Sequence, residues 1–185
     1  AFALVPAFSL SQAFASDAIF IGTVHYPVKY DEDGYPMYNE DGSFQRGNPY
    51  VNLKNVENAS GTLVVPRTFD LVVRAEDGTE TIERNVEPSV LYCGGTIGIT
   101  GPGLKSTWTN ADISSLDLTQ CSTLKTVDFS HMDSIESVSL DGLSALENVA
   151  FSSCKVLRTA SMDGCSSVTS YRLEGCDSLA LPDFS

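Results

Sequence analysis

Residues 116–181 read LDLTQCSTLKT (116–126), VDFSHMDSIES (127–137), VSLDGLSALEN (138–148), VAFSSCKVLRT (149–159), ASMDGCSSVTS (160–170) and YRLEGCDSLAL (171–181). An apolar residue or cysteine stands at the first, third, sixth and ninth place of every unit, 24 positions in all. Against a chain that is 42% hydrophobic, such agreement has a chance probability of roughly one in a billion before the choice of frame. The period of eleven is a structural repeat.

Spacings of two and three with Ser, Thr, Gly and Asp between them give a helix no steady apolar face and poor propensity. An apolar residue at the first and third place suits a short strand that points alternate side chains inward. The residues that follow turn the chain, aided by Gly142, Gly164 and Gly175. Two sides are the least that can enclose a core, so two units make one coil of 22 residues. At that period Lys125 falls over Glu147 and Glu136 over Arg158, opposite charges on neighbouring parallel strands. The expected fold is an all-β parallel solenoid.

The stretch Ile113-Ser-Ser-Leu116-Asp-Leu118-Thr-Gln-Cys121-Ser-Thr-Leu124 matches the pattern L-x-x-L-x-L-x-x-N/C-x-L throughout, and Ile135 to Leu146 and Leu157 to Val168 restate it. Residues 113–179 thus resemble bacterial leucine-rich repeats. Ala150 to Leu157, AFSSCKVL, is also similar to the AF-x-x-C-x-x-L phrase of BspA-like surface proteins. The resemblance implies a leucine-rich-repeat solenoid over 113–185, a bacterial cell-surface or secreted location, and non-catalytic attachment to a protein of a host or neighbouring cell.

Residues 1–15 read as part of a secretory signal, with Ala13 and Ala15 at the small-residue positions before Ser16. That stretch is too short and polar to be a transmembrane segment. Residues 16–100 read as β-rich: AIFIGTVHY (18–26), GTLVVP (61–66), and DLVVRAEDGTETIERNV (70–86) as a hairpin turning at Asp77-Gly78. Residues 101–112 are the expected cap or linker, with Leu104 and Trp108 plugging the first coil. Pro182 to Ser185 open a seventh unit, so the solenoid is expected to be truncated there.

A net charge of −13 without a basic patch excludes nucleic acid as a partner. The tract YDEDGYPMYNEDGSF (30–44) gathers Asp31, Asp33, Glu40 and Asp41, but Gly34 comes too early for a calcium loop and Gly42 stands where its twelfth-place Glu belongs. It reads as two Asp-Gly turns with tyrosines between them. Four of the five cysteines, Cys121, Cys154, Cys165 and Cys176, take the sixth place, which Met132 and Leu143 fill elsewhere. They read as core thiols, with Cys154 and Cys176 the one pair that lies a coil apart, within reach of a bridge. His25 and His131 lie in different parts of the chain, and the glycines of GGTIGITGPG (94–103) have strand-like flanks instead of a phosphate loop's helix. No enzyme, no cofactor and no metal is expected.

The outward second, tenth and eleventh places form the contact surface of such a coil. The candidate partner-binding residues are Asp117, Glu136 and Arg158 on one side, and Lys125, Asp128, Glu147 and Arg172 on the other. Neither side of the repeats shows an exposed aromatic anchor, Phe129, Phe151 and Tyr171 being placed inward. The two functions open are adhesion through these charged residues and a structural stalk that contacts nothing specific.

Overall fold

Leu116, Val138 and Ala160 are stacked in one column and Val127, Val149 and Tyr171 in another, each residue in parallel register with the next. The computed structural model describes residues 18–93 and 113–180. The signal segment 1–15, the cap or linker 101–112 with Leu104 and Trp108, the glycines of 94–103 and the tail 181–185 lie outside these.

Twelve strands and no helix make up the described residues. The first six are β1 (Ile19–His25), β2 (Tyr50–Glu57), β3 (Gly61–Val64), β4 (Phe69–Arg74), β5 (Glu80–Val86) and β6 (Val90–Cys93). The repeats supply β7 (Ile113–Asp117), β8 (Thr126–Asp128), β9 (Ser137–Ser139), β10 (Asn148–Ala150), β11 (Thr159–Ser161) and β12 (Ser170–Arg172). Successive repeat strands alternate between a four-stranded sheet, β11-β9-β7-β3, and an eight-stranded sheet, β12-β10-β8-β6-β2-β1-β4-β5. The fold is all-β with long parallel segments. Lateral neighbours such as Lys125 and Glu147 are 22 residues apart.

The corners obey one geometry. The residue at the fifth place has positive φ in five units: His131 (65°), Gly142 (77°), Ser153 (62°), Gly164 (76°) and Gly175 (72°). That conformation aims its N–H along the stack, so His131 donates to the Ser152 carbonyl at 2.8 Å and Gly142 to that of Asp163 at 2.7 Å. Glycine reaches it without the steric cost that His131 and Ser153 carry.

The sixth-place thiols close the corners from inside. Cys154 donates to the Phe129 carbonyl at 2.8 Å, Cys165 to that of Leu140 at 3.1 Å, and Cys176 to that of Phe151 at 2.5 Å. All four sixth-place cysteines are free thiols. Their compact side chains fit the core, and the weak S–H donor reaches a carbonyl of the preceding rung.

Neither sheet begins in the repeats. β3 pairs with β7 in parallel, Leu63 beside Leu116 and Val64 beside Asp117. Val65 then donates to the Asp117 carbonyl as Leu118 does to Ser139, and Cys121 reaches the Val65 carbonyl at 3.4 Å. On the other sheet β6 pairs with β8, Leu91 beside Val127, while Lys125 donates to the Ser89 carbonyl at 2.7 Å. The β-rich N-terminal region thus continues both sheets without a break. One core follows, from Phe20, Val51, Leu53 and Leu71 through Leu91 to Phe129, Phe151 and Leu157. Phe129 and Phe151 stack at 5.4 Å. Tyr171, placed in the core by its column, is 53% exposed in the last described rung.

The N-terminal strands turn on two local devices. At β1, a bulge between Ile21 and Gly22 lets β2 approach so closely that a Cβ on Gly22 collides with the Asn52 carbonyl. Between β1 and β2, residues 28–46 form a small three-legged lobe. Its legs are joined by the bridges Val28 to Arg46, Tyr30 to Pro36 and Tyr38 to Phe44. Asp77-Gly78 makes the expected turn of the β4–β5 hairpin, where the Asp77 carboxylate accepts the Thr79 N–H at 2.9 Å.

Candidate partner-binding faces

The seven candidate residues divide between the two sheets. Asp117 ends β7, and Glu136 and Arg158 stand just before β9 and β11, all on the four-stranded sheet. Lys125 and Glu147 precede β8 and β10, and Asp128 and Arg172 end β8 and β12, all on the eight-stranded sheet. They are two surfaces and not one site.

Two pairs are brought together as their period requires. Lys125 Nζ lies 3.2 Å from Glu147 Oε1, and Arg158 Nε lies 3.7 Å from Glu136 Oε2. All four side chains are largely exposed, so each pair contributes a few tenths of a kcal/mol, roughly, before screening by salt. Asp117 and Asp128 instead hold turns. Asp117 Oδ1 accepts the Thr119 N–H at 3.0 Å and its hydroxyl at 2.7 Å, and Asp128 Oδ1 accepts the Ser130 N–H at 2.8 Å. Arg172 is exposed in β12, with no hydrogen bond or ion pair to its guanidinium shown among the described residues.

Hydroxyls and carboxylates line the outside of the four-stranded sheet. Ser115 and Ser137 share a hydrogen bond of 2.5 Å. Asp141 accepts the Ser161 hydroxyl at 2.5 Å and the Asp163 N–H at 2.9 Å. These contacts follow the stack and join successive rungs.

The outside of the eight-stranded sheet carries aromatics that the repeat alone does not disclose. Tyr92 of β6 stands beside Asp128, and Tyr50 of β2 beside Val90. The His25 ring lies 6.1 Å from that of Tyr50. Burial raises the Tyr92 phenol above its ordinary value, and the Asp128 carboxylate and then Tyr50 add to the rise. Tyr92 belongs to β6, outside the repeats, and gives Asp128 an aromatic neighbour that the repeats do not supply. The missed signal was an alternation of Tyr50 and Asn52, outward, with Val51 and Leu53, inward.

Cys121 and Cys154 are held as protonated thiols. Burial, followed by the Asp117 charge, pushes Cys121 up to about 12, and burial foremost pushes Cys154 up to about 12. A protonated thiol neither attacks nor binds metal well. Among the described residues no three His, Cys, Asp or Glu side chains gather as a metal site, and no helix is long and apolar enough to cross a membrane. In the acidic tract the carboxylates serve turns: Asp31 Oδ1 accepts the Tyr35 N–H at 2.8 Å, and Asp41 Oδ1 the Ser43 N–H at 2.9 Å.

No protein-family model matches the chain, and neither a curated protein nor a solved structure matches it.

Proposed function

We propose that the chain is a leucine-rich-repeat solenoid of a secreted or cell-surface bacterial protein, and that it binds another protein without catalysis. The observation that carries this reading is the parallel register of outward side chains at 22-residue steps: Thr126, Asn148 and Ser170 in one column, and Asp128, Ala150 and Arg172 in the next. Side chains about 4.8 Å apart along each column present a repetitive, mostly polar surface, suited to an extended partner. The signal-like residues 1–15 support export.

A second reading is a stalk. Lys125 with Glu147 and Glu136 with Arg158 satisfy each other within the stack, which is what charges serving only the stack do. Replacing Glu136 and Arg158 together by Ala separates the two. Retention of labelled protein on host or neighbouring bacterial cells, with and without prior protease treatment of the cells, is measured beside the melting temperature. Loss of a protease-sensitive retention at unchanged melting supports binding through this face, whereas absence of protease-sensitive retention for the unsubstituted protein supports the stalk.

A further inference from the structure

Exposed anchors are concentrated away from the repeats. Of ten large hydrophobic side chains left exposed among the described residues, five belong to the lobe of residues 28–46: Tyr30 (61%), Tyr35 (69%), Met37 (37%), Tyr38 (53%) and Phe44 (41%). Large apolar side chains clustered on an exposed loop mark interaction surfaces, and aromatics are the usual anchors of protein contacts.

The lobe is built to hold them still. A closed ring of backbone hydrogen bonds, each 2.9 Å, joins its legs: Lys29 donates to Gln45, Gln45 to Met37, and Met37 to Lys29. Gly34 and Gly42 close the two tips at φ of 86° and 81°, donating to the Asp31 and Asn39 carbonyls. At the root, Gly47 donates to the Pro27 carbonyl at 2.9 Å and Arg46 Nη1 to that of Tyr26 at 3.1 Å. Alternation along the three legs sends Tyr30, Pro36, Tyr38, Phe44 and Arg46 to one side of the ring. The Tyr38 and Phe44 rings lie 5.0 Å apart, and the Arg46 guanidinium stands 5.8 Å from the Phe44 centroid. A rigid aromatic surface loses little entropy on binding.

Charge names the partner. The lobe holds five carboxylates, on Asp31, Glu32, Asp33, Glu40 and Asp41, against the two cations Lys29 and Arg46, within a chain of net charge −13. Carboxylates and exposed tyrosines on one lobe are complementary to guanidinium and ammonium groups, which pair with the first and stack on the second. We propose that the lobe of residues 28–46 is the contact surface of this protein, and that it takes an Arg- and Lys-rich segment of another polypeptide. The proposal rests on the binding reading given above, and relocates the contact from the repeat columns to the lobe.

The test titrates the full chain with a short peptide alternating Arg and Ser, beside a Glu and Ser counterpart and a neutral glucose oligomer, by calorimetry. Two lobe variants are compared: Tyr30→Ala with Tyr38→Ala, and Glu32→Gln with Glu40→Gln. The second pair alters carboxylates for which no bond is shown among the described residues, so it leaves the lobe's hydrogen bonds in place. Glu76→Gln, in the exposed turn between β4 and β5, serves as the control. The expected result is binding of the Arg peptide alone, weakened about tenfold by either lobe pair and unchanged by Glu76→Gln. Arg-peptide binding untouched by both lobe pairs, or weakened equally by Glu76→Gln, overturns the lobe and leaves the binding reading standing. Binding of the sugar without the Arg peptide overturns the partner class. Absence of all binding overturns the proposal, while cell retention separately decides whether the protein is a binding module.

Discussion

The Cys154 thiol donates to the Phe129 carbonyl at 2.8 Å, across a separation of 25 residues. Phe129 is the third place of one rung and Cys154 the sixth place of the next, so this bond fastens a corner to its neighbour. It accounts for the choice of cysteine where Met132 and Leu143 satisfy the same volume. Replacing Cys154 by Ala removes the bond and leaves a small void. We expect a loss of about 1–2 kcal/mol in urea unfolding.

The same burial makes stability sensitive to alkali. Cys121 and Cys154 have folded pKa values near 12 against an ordinary 9.0, so the unfolded chain loses these protons first. Their contribution is complete below pH 9 and is lost as pH rises towards 12, because only then does deprotonation favour the unfolded state. Ellman's reagent at neutral pH should leave both thiols unmodified in the native protein and modify them in denaturant. Rapid native modification would show that the corners open.

Gly22 and Asn52 permit one geometry. A methyl group at Gly22 has no space beside the Asn52 carbonyl, which is backbone and cannot rotate away. Gly22→Ala should cost at least about 2 kcal/mol and reduce hydrogen-exchange protection along β1 and β2 before the repeats are affected.

The fifth-place corners give opposite signs at equivalent positions. His131 holds φ of 65° where Gly142, Gly164 and Gly175 sit without strain. His131→Gly should change stability by about +0.5 kcal/mol, strain relief outweighing added chain entropy, and Gly142→Ala by about −1 kcal/mol. Thermal melts of the two variants provide the check.

The charged pairs are expected to matter little to the fold. Glu147→Gln should cost less than about 0.5 kcal/mol, and that cost should fade in molar salt, since both partners of the pair are largely exposed.

Much of the repeat architecture was legible because each inward position recurs. Leu116, Leu118, Cys121 and Leu124 announce a unit, and five further copies fix its period. The pairings of Lys125 with Glu147 and Glu136 with Arg158 followed from arithmetic on that period. The first rung was not legible. Leu63 with Val65 and Leu91 occupy rung positions, but the β4–β5 hairpin separates them, and no second copy exists to reveal a pattern. Tyr92 was missed beside Asp128 for the same reason. The lobe was read correctly as turns. That its aromatics gather exposed on one side was not legible, because the three-legged ring comes from backbone bonds that residue types do not encode, although Tyr30-Asp-Glu-Asp-Gly34 and Tyr38-Asn-Glu-Asp-Gly42 are near copies eight residues apart.

The central claim is that residues 22 apart in sequence are parallel neighbours in one stack, alternating between two sheets. Nuclear Overhauser contacts measured on isotope-labelled protein test it directly. Backbone contacts between Val127 and Val149, and between Leu116 and Val138, are predicted, with none between Val127 and Val138. Contacts at a spacing of eleven, or an absence of contacts at 22, would contradict the account.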